Sequence, residues 1–186
     1  VRCHRSEFGA TEFNPGVGRG RFHPFTDSLG KIVSTLYGSN SFEGALAETI
    51  LQGIPVRGAG RTLRRVALKT YVVSVLFPLR DLRLVQLHGF GLGRIELLRT
   101  ELIESDATEY ERTAQWAAAL HDANREIDGL VWVSRQYDTS RSVVLFGDRV
   151  RREDLEVAAT PLPIGKGAGL KKVSRAAEQA KITLLK

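Results

Sequence analysis

Two glycine-rich stretches are the first places where this backbone could cradle phosphates: Gly89-Phe90-Gly91-Leu92-Gly93 and Gly165-Lys166-Gly167-Ala168-Gly169. The first follows a strand-like run but fails the Gly-x-Gly-x-x-Gly spacing of a dinucleotide turn. The second lacks both the spacing of a Walker loop and the Ser or Thr that should follow its lysine. A tight turn and a flexible connector are the expected readings. Four histidines, His4, His23, His88 and His121, lie far apart with no helical His-x-x-x-His pair and a single cysteine to assist them, so no metal is expected. His121 has a simpler role as a cation near a helix C-terminus. The net charge of +6 comes from scattered clusters, Arg61 with Arg64 and Arg65, Arg149 with Arg151 and Arg152, and Lys166 with Lys171 and Lys172. No aromatic residues are interleaved to stack bases, so these read as solvated surface and direct nucleic-acid binding is not expected.

The elements that must position any site follow from periodicity. Arg2 to Gly30 has no sustained helical period and reads as an irregular segment held by Phe8, Phe13, Phe22 and Phe25. Lys31 to Tyr37 predicts a strand, and Gly38 to Ser41 supply turn and cap chemistry for a helix reaching about Leu51. In that helix Phe42, Ala45, Leu46, Thr49 and Ile50 share one face with Glu48 at its margin. Val66 to Phe77 and Leu82 to Leu87 are rich in branched residues and predict strands. Asp106 and Glu109 form a capping pattern ahead of a helix over about Ala107 to Asp122. Leu130 to Val133 and Ser142 to Phe146 predict two more strands, and Lys172 to Lys181 a short basic helix.

With 186 residues and 42% hydrophobic content the chain can bury one core, so a single domain over 1–186 is expected, its core at about 2–150 and a basic extension at about 160–186. The longest apolar stretch, Tyr71 to Leu79, is interrupted by Ser74 and Pro78 and falls well short of the roughly 20 residues of a membrane span. The lone Cys3 excludes an intrachain disulfide and fits a reducing compartment, which makes the cytoplasm the expected location. The chain holds no methionine and opens on Val1, which leaves room for residues ahead of it.

Three segments carry a family signature. Gly18-Arg19-Gly20-Arg21-Phe22-His23-Pro24 is a Gly-Arg-aromatic loop. Thr35 to Thr49 is a strand ending in Tyr37 followed by a helix with Ala45-Leu46-Ala47-Glu48. Asp128-Gly129-Leu130-Val131-Trp132-Val133-Ser134 is an Asp-Gly-apolar strand that delivers a serine, with Val143 to Phe146 as the strand that follows. In order and approximate spacing these resemble the RES-domain family, over roughly Arg2 to Arg149. Two features depart from its pattern: a longer connection from Arg21 to Tyr37, and Phe22-His23 in place of a Trp-Asn pair.

The resemblance implies an α/β (α+β-like) fold similar to that of ADP-ribosyltransferases, a split mixed sheet flanked by helices, and a toxin that binds NAD and breaks its nicotinamide–ribose bond by hydrolysis or phosphorolysis. The family's arginine, tyrosine, glutamate and serine fall on Arg21, Tyr37, Glu48 and Ser134. A guanidinium matches diphosphate oxygens, and Arg19 in the same loop is an alternative that motif position disfavours. A carboxylate beside an oxocarbenium-like ribose stabilises its positive charge, which is the part of Glu48. Tyr37 and Ser134 would orient the ligand. The resemblance further implies an Xre-type helix-turn-helix antitoxin as partner and is compatible with a homodimer. Two other functions stand beside this one: ADP-ribosyl transfer to a cellular protein, and a non-enzymatic module whose basic clusters bind nucleic acid or protein.

Overall fold

The computed structural model describes residues 1–55, 57–58 and 60–186. In chain order its elements are β1 (Arg2–Arg5), β2 (Phe25–Thr26), β3 (Ile32–Val33), β4 (Thr35–Ser39), α1 (Phe42–Ala47), β5 (Thr62–Arg64), β6 (Tyr71–Ser74), β7 (Leu76–Pro78) and β8 (Leu84–Gln86). They continue as α2 (Gly91–Arg94), α3 (Arg99–Leu102), α4 (Tyr110–Ala123), β9 (Gly129–Val133), β10 (Arg141–Phe146), β11 (Leu155–Val157), β12 (Leu162–Pro163), α5 (Gly167–Gln179) and β13 (Thr183–Leu185). The architecture is mixed α/β with a split sheet, as expected. One sheet runs β4-β10-β9-β8 and a second β1-β6-β12, with three two-stranded ribbons around them. In the larger sheet β10 is antiparallel to both neighbours, while β8 joins β9 in parallel.

Strands β9 and β10 fall on two short apolar runs, and their inward side chains make the main core. Leu130, Trp132, Val144 and Phe146 are almost fully buried there with Phe22, Leu102 and Ile103. The Trp132 ring meets Phe22 edge-on at 5.0 Å and Tyr37 at 6.1 Å, contacts that set the height of the arginine loop above the sheet. A second cluster packs α1 against α5 through Ala45, Leu46, Val173 and Ala177.

The C-terminal helix begins five residues earlier than the lysine pattern suggests. Gly167 to Gly169, part of the Gly165 to Gly169 stretch expected as a flexible connector, form its first turn, and Gly169 is buried so close to the Pro163 carbonyl oxygen that a Cβ would overlap it. Val173, Ala176 and Ala177 dock the helix on the core, and β13 then pairs in parallel with β5. Between Arg65 and Thr70, where a strand was expected, the chain takes a turn of 3₁₀-helix: Leu68 is buried while Val66 and Ala67 face solvent. A short branched run satisfies either period, and burial of one residue in three decides for the helical turn. Gly91 likewise opens a short helix where a turn was expected, its position held by the close Gln86 carbonyl.

Helix α4 is anchored at both ends. Asp106 accepts from the Thr108 N–H at 2.8 Å, as the capping pattern suggests, whereas Glu109 pairs with Arg112 instead of reaching back. At the other end the buried His121 lies between Asp122 (3.0 Å) and Asp148 (2.9 Å) against the rings of Phe25 and Phe146. The cation that reaches the last carbonyls is Arg149, which donates to the carbonyls of His121, Asn124 and Ile127.

Asp128, one of the motif residues, ties the edge of the larger sheet. Its carboxylate accepts a fork from Arg80 (2.7 and 3.0 Å) and the Arg83 N–H (2.8 Å). Burial would raise its pKa, but Arg80 and the Arg83 amide outweigh this and hold it below the usual carboxylate range. A lowered native pKa contributes stability above the unfolded-state value near 4 and loses it as pH falls through the native value. Asp128→Asn is expected to cost about 2 kcal/mol in urea denaturation at pH 7. The difference from the native protein should shrink in acid below that value, where the native carboxylate also takes up its proton.

Candidate active site

The site is built where the arginine loop crosses the end of β4 and the start of α1. In the loop, Gly16 and Gly18 adopt positive φ (110° and 79°), and Asn14 Oδ1 accepts from the Gly16 and Val17 amides at 2.9 and 2.7 Å. Paired backbone bonds between Gly20 and His23 then close a tight turn that points Arg21 inward.

Arg21 is only 2% exposed. One of its terminal nitrogens donates to the carbonyls of Leu102 (3.2 Å) and Ser105 (3.1 Å) and to Ser105 Oγ (2.8 Å), and the guanidinium carbon lies 5.6 Å from the centre of the Tyr110 ring. Thr113 Oγ1 on α4 donates to the Arg21 carbonyl. The side chain is thus gripped by the segment ahead of α4 and the backbone by α4 itself. Its Nε is buried and unpartnered among the described residues. Burial lowers the pKa of this guanidinium, opposed by Tyr110 and Glu48.

Tyr37 sits at the centre of β4, opposite Val144 of β10. Its hydroxyl oxygen accepts from the Phe22 N–H at 2.9 Å and lies 3.2 Å from His23 Nδ1. The orientation of Asn14 is set by the two amides that its oxygen accepts, so its Nδ2 faces His23 Nε2 at 3.4 Å and makes that nitrogen the acceptor. The ring proton then sits on Nδ1 and is donated to Tyr37. A hydroxyl that accepts twice keeps its own proton for a third group. Burial pushes the Tyr37 phenol well above its ordinary value, against the Phe22 amide and Arg21, so it stays a donor at neutral pH. Burial also lowers the His23 pKa, against the nearby Val17 carbonyl, in keeping with a neutral ring.

Helix α1 starts at Ser41, whose Oγ accepts from the Gly44 N–H at 3.0 Å. It ends at Ala47, four residues short of the expected Leu51, because the amides of Thr49, Ile50 and Leu51 all turn back onto the Leu46 carbonyl. That tight ending places Glu48 at the C-cap, half-buried. Its carboxylate has no hydrogen-bond or ion-pair partner among the described residues.

Arg21, Tyr37 and Glu48 line one cavity of about 200 Å³ with Arg2, Thr35 and Gln52. The charge of Glu48 acts on both Arg21 and Tyr37. Arg19 is exposed and stands at the rim. Ser134 does not line the cavity. It is fully buried, its Oγ accepts from the Tyr137 N–H, and its amide donates to the Ser140 carbonyl.

That turn has a use of its own. Ser140 Oγ donates to Asn40 Oδ1 (2.7 Å) and meets the hydroxyls of Ser39 (2.7 Å) and Ser41 (2.9 Å), so it locks the junction of β4 and α1. Gly44 fits only because it lacks a Cβ, which would overlap Ser140 Oγ and Ser39 Oγ. Gly44→Ala is expected to cost about 1–3 kcal/mol of stability by overpacking, read as a lowered thermal midpoint.

The residues that sequence reasoning missed are Arg2, Gln52, Ser105 and Thr113. Arg2 is buried on β1, donating to the Ala10 carbonyl at 2.8 Å, and burial pulls its pKa down to about 10 against the pull of Glu12, which leaves it charged at neutral pH. Gln52 donates to the Tyr110 hydroxyl at 2.8 Å and so links the end of α1 to α4. Ser105, directly ahead of the Asp106 cap, accepts from Arg21 and donates to the Leu102 carbonyl at 3.0 Å.

A family model described as the RES domain matches residues 1–165, which takes in the arginine loop, β4, α1 and the strand ending at Ser134. The chain belongs to the RES-domain family. Among solved structures, this RES domain is similar in fold to a chain of the M. tuberculosis MbcT–MbcA toxin–antitoxin complex. The TM-score is 0.59 with 16% identity, over 87% of this chain and 81% of that one. No curated protein matches in sequence.

Proposed function

We propose that this RES domain binds NAD as its substrate, breaks the nicotinamide–ribose bond and acts as the toxin of a toxin–antitoxin pair. The observation that carries the reading is the convergence of Arg21, Tyr37 and Glu48, whose carboxylate has no partner among the described residues, on one cavity from three separate segments. A carboxylate with no fold partner is free to act on a ligand. When the bond between ribose C1′ and the nicotinamide nitrogen breaks, its electron pair leaves with the ring and positive charge gathers on the sugar. Glu48 stabilises that charge, and the free hydroxyl proton of Tyr37 orients a ligand oxygen. An oxygen of water, which gives up a proton to solvent, or an unprotonated oxygen of phosphate then bonds to C1′, giving ADP-ribose or its phosphate. Arg21 spends one nitrogen on the fold and offers the remainder of its fork, with the rim Arg19, to the diphosphate.

Ser134 enters this reading as a positioning residue, through the turn that seats Ser140 against the start of α1. An antitoxin partner is supported by the toxin–antitoxin complex that holds the similar chain, and the family resemblance implies the Xre helix-turn-helix type for it. The proposed location is the cytoplasm. Among the described residues no helix is long and apolar enough to cross a membrane and no group of His, Cys, Asp or Glu is arranged for a metal.

The test is nicotinamide release from NAD with and without inorganic phosphate, products identified by mass, and the same incubation in cell lysate with labelled NAD. Free ADP-ribose or its phosphate supports the proposal, label fixed to protein moves it to ADP-ribosyl transfer, and the absence of release rejects it.

A further inference from the structure

The cavity around Glu48 is too small for the whole of its proposed substrate. Sites for drug-sized ligands run to about 300–1,000 Å³, and a dinucleotide is at the larger end of that class, whereas this cavity holds about 200 Å³. The nicotinamide–ribose half, which carries the bond to be cut, is the part that must sit beside Glu48. The remainder of the molecule must leave over the rim.

Across that rim lies a groove of about 410 Å³ between α4 and the segment Arg19 to Thr26. The two concavities share Arg19 and His23 as lining residues, so they adjoin along the arginine loop. Helix α4 presents Tyr110, Ala114 and Ala118 to the groove at intervals of four residues, and Phe25 faces them. Small alanines between two aromatic residues leave a shallow apolar slot suited to a flat ring. The edge of the slot is polar: Gln115 and Glu111, both exposed, flank it from the next positions of the helix.

Those groups match one ligand chemistry. A purine edge carries an amine donor beside ring-nitrogen acceptors, which the donor and acceptor of one Gln amide can pair together. A carboxylate accepts from the vicinal hydroxyls of a ribose. The exposed guanidinium of Arg19 stands where the two concavities meet, the place a diphosphate must cross.

We infer that the groove between α4 and the Arg19–Thr26 segment binds the adenosine half of the dinucleotide, with the diphosphate bridging at Arg19. This rests on the proposed cleavage of NAD and adds to it where the non-reacting half is held. Binding energy from that half would favour NAD over a substrate with the same scissile bond and no adenosine.

Nicotinamide mononucleotide is such a substrate. The experiment compares kcat/KM for nicotinamide release from NAD and from nicotinamide mononucleotide, in the native protein, Gln115→Ala and Ala118→Phe. Gln115 is exposed and its replacement by alanine favours the helix, so that variant folds even if the bulkier one does not. The native protein should prefer NAD by more than about tenfold, and each folded variant should lose about tenfold of that preference, the size of one lost hydrogen bond or a filled slot. Adenosine monophosphate should compete with NAD in the native protein and less well in the variants. A native protein that does not distinguish the two substrates, or a preference unmoved by Gln115→Ala, overturns the adenosine site and leaves NAD cleavage standing. A native protein that releases no nicotinamide from NAD removes both.

Discussion

Replacing Glu48 by glutamine should lower the rate of nicotinamide release from NAD by about a hundredfold to a thousandfold in kcat, the usual loss when one electrostatic stabiliser of a transition state is removed. KM should move less than kcat, because the positive charge sits on the nicotinamide ring in the ground state and shifts onto the ribose only in the transition state. The thermal midpoint should also stay within a degree or two of native. Glu48 caps α1 through its backbone N–H, which the substitution retains, and among the described residues its carboxylate supports nothing in the fold. That separation of chemistry from stability makes Glu48 the cleanest probe of the site. Full turnover in a folded Glu48→Gln protein would sink the role given to it.

Arg21 behaves in the opposite way. Arg21→Ala should abolish turnover and also destabilise the protein by about 3 kcal/mol, the scale for hydrogen bonds made by a charged group in the interior. At about 2–4 °C per kcal/mol for a domain of this size, the thermal midpoint should fall by roughly 10 °C. The cause is specific. The guanidinium bonds the carbonyls of Leu102 and Ser105 and the Ser105 hydroxyl, in the segment that leads from α3 into α4, and without it each of these buried groups loses a charged donor while Tyr110 loses the cation on its face. Arg21→Lys should recover part of the stability, since an ammonium reaches one acceptor, but little of the activity, since it lacks the planar fork. Loss of activity in an Arg21 variant is therefore informative only beside a melt, whereas a stable and fully active Arg21→Ala would remove this residue from both roles.

The two residues differ in this way because of where their partners lie in the chain. Arg21 is bonded 81 and 84 residues away, to backbone carbonyls that leave no mark in a sequence pattern. A Gly-Arg loop read alone fits an exposed charge as well as a buried anchor. Glu48 sits at the margin of an apolar helix face, as its periodicity indicates, yet the helix stops at Ala47, and that early ending makes the glutamate a cap. Ser134 shows the converse. Its place at the end of β9 follows from the strand pattern, while its hydroxyl turns into the local turn to meet Tyr137.

What the amino-acid order determined by itself was local: strands β9 and β10 from apolar runs bounded by polar and turn residues, the Asp106 start of the α4 region from capping chemistry, and the family from three motifs in sequence. These rest on interactions a few residues long, so a window of sequence contains all their causes. Tertiary packing decided the rest. It buried Arg21, gave the Tyr37 hydroxyl its two donors, turned Val66 and Ala67 outward in a 3₁₀ turn, and docked α5 on α1 through Val173 and Ala177. Each of those outcomes depends on a group tens of residues distant that competes with water for the same hydrogen bond or apolar contact, and only the folded chain brings the competitors together.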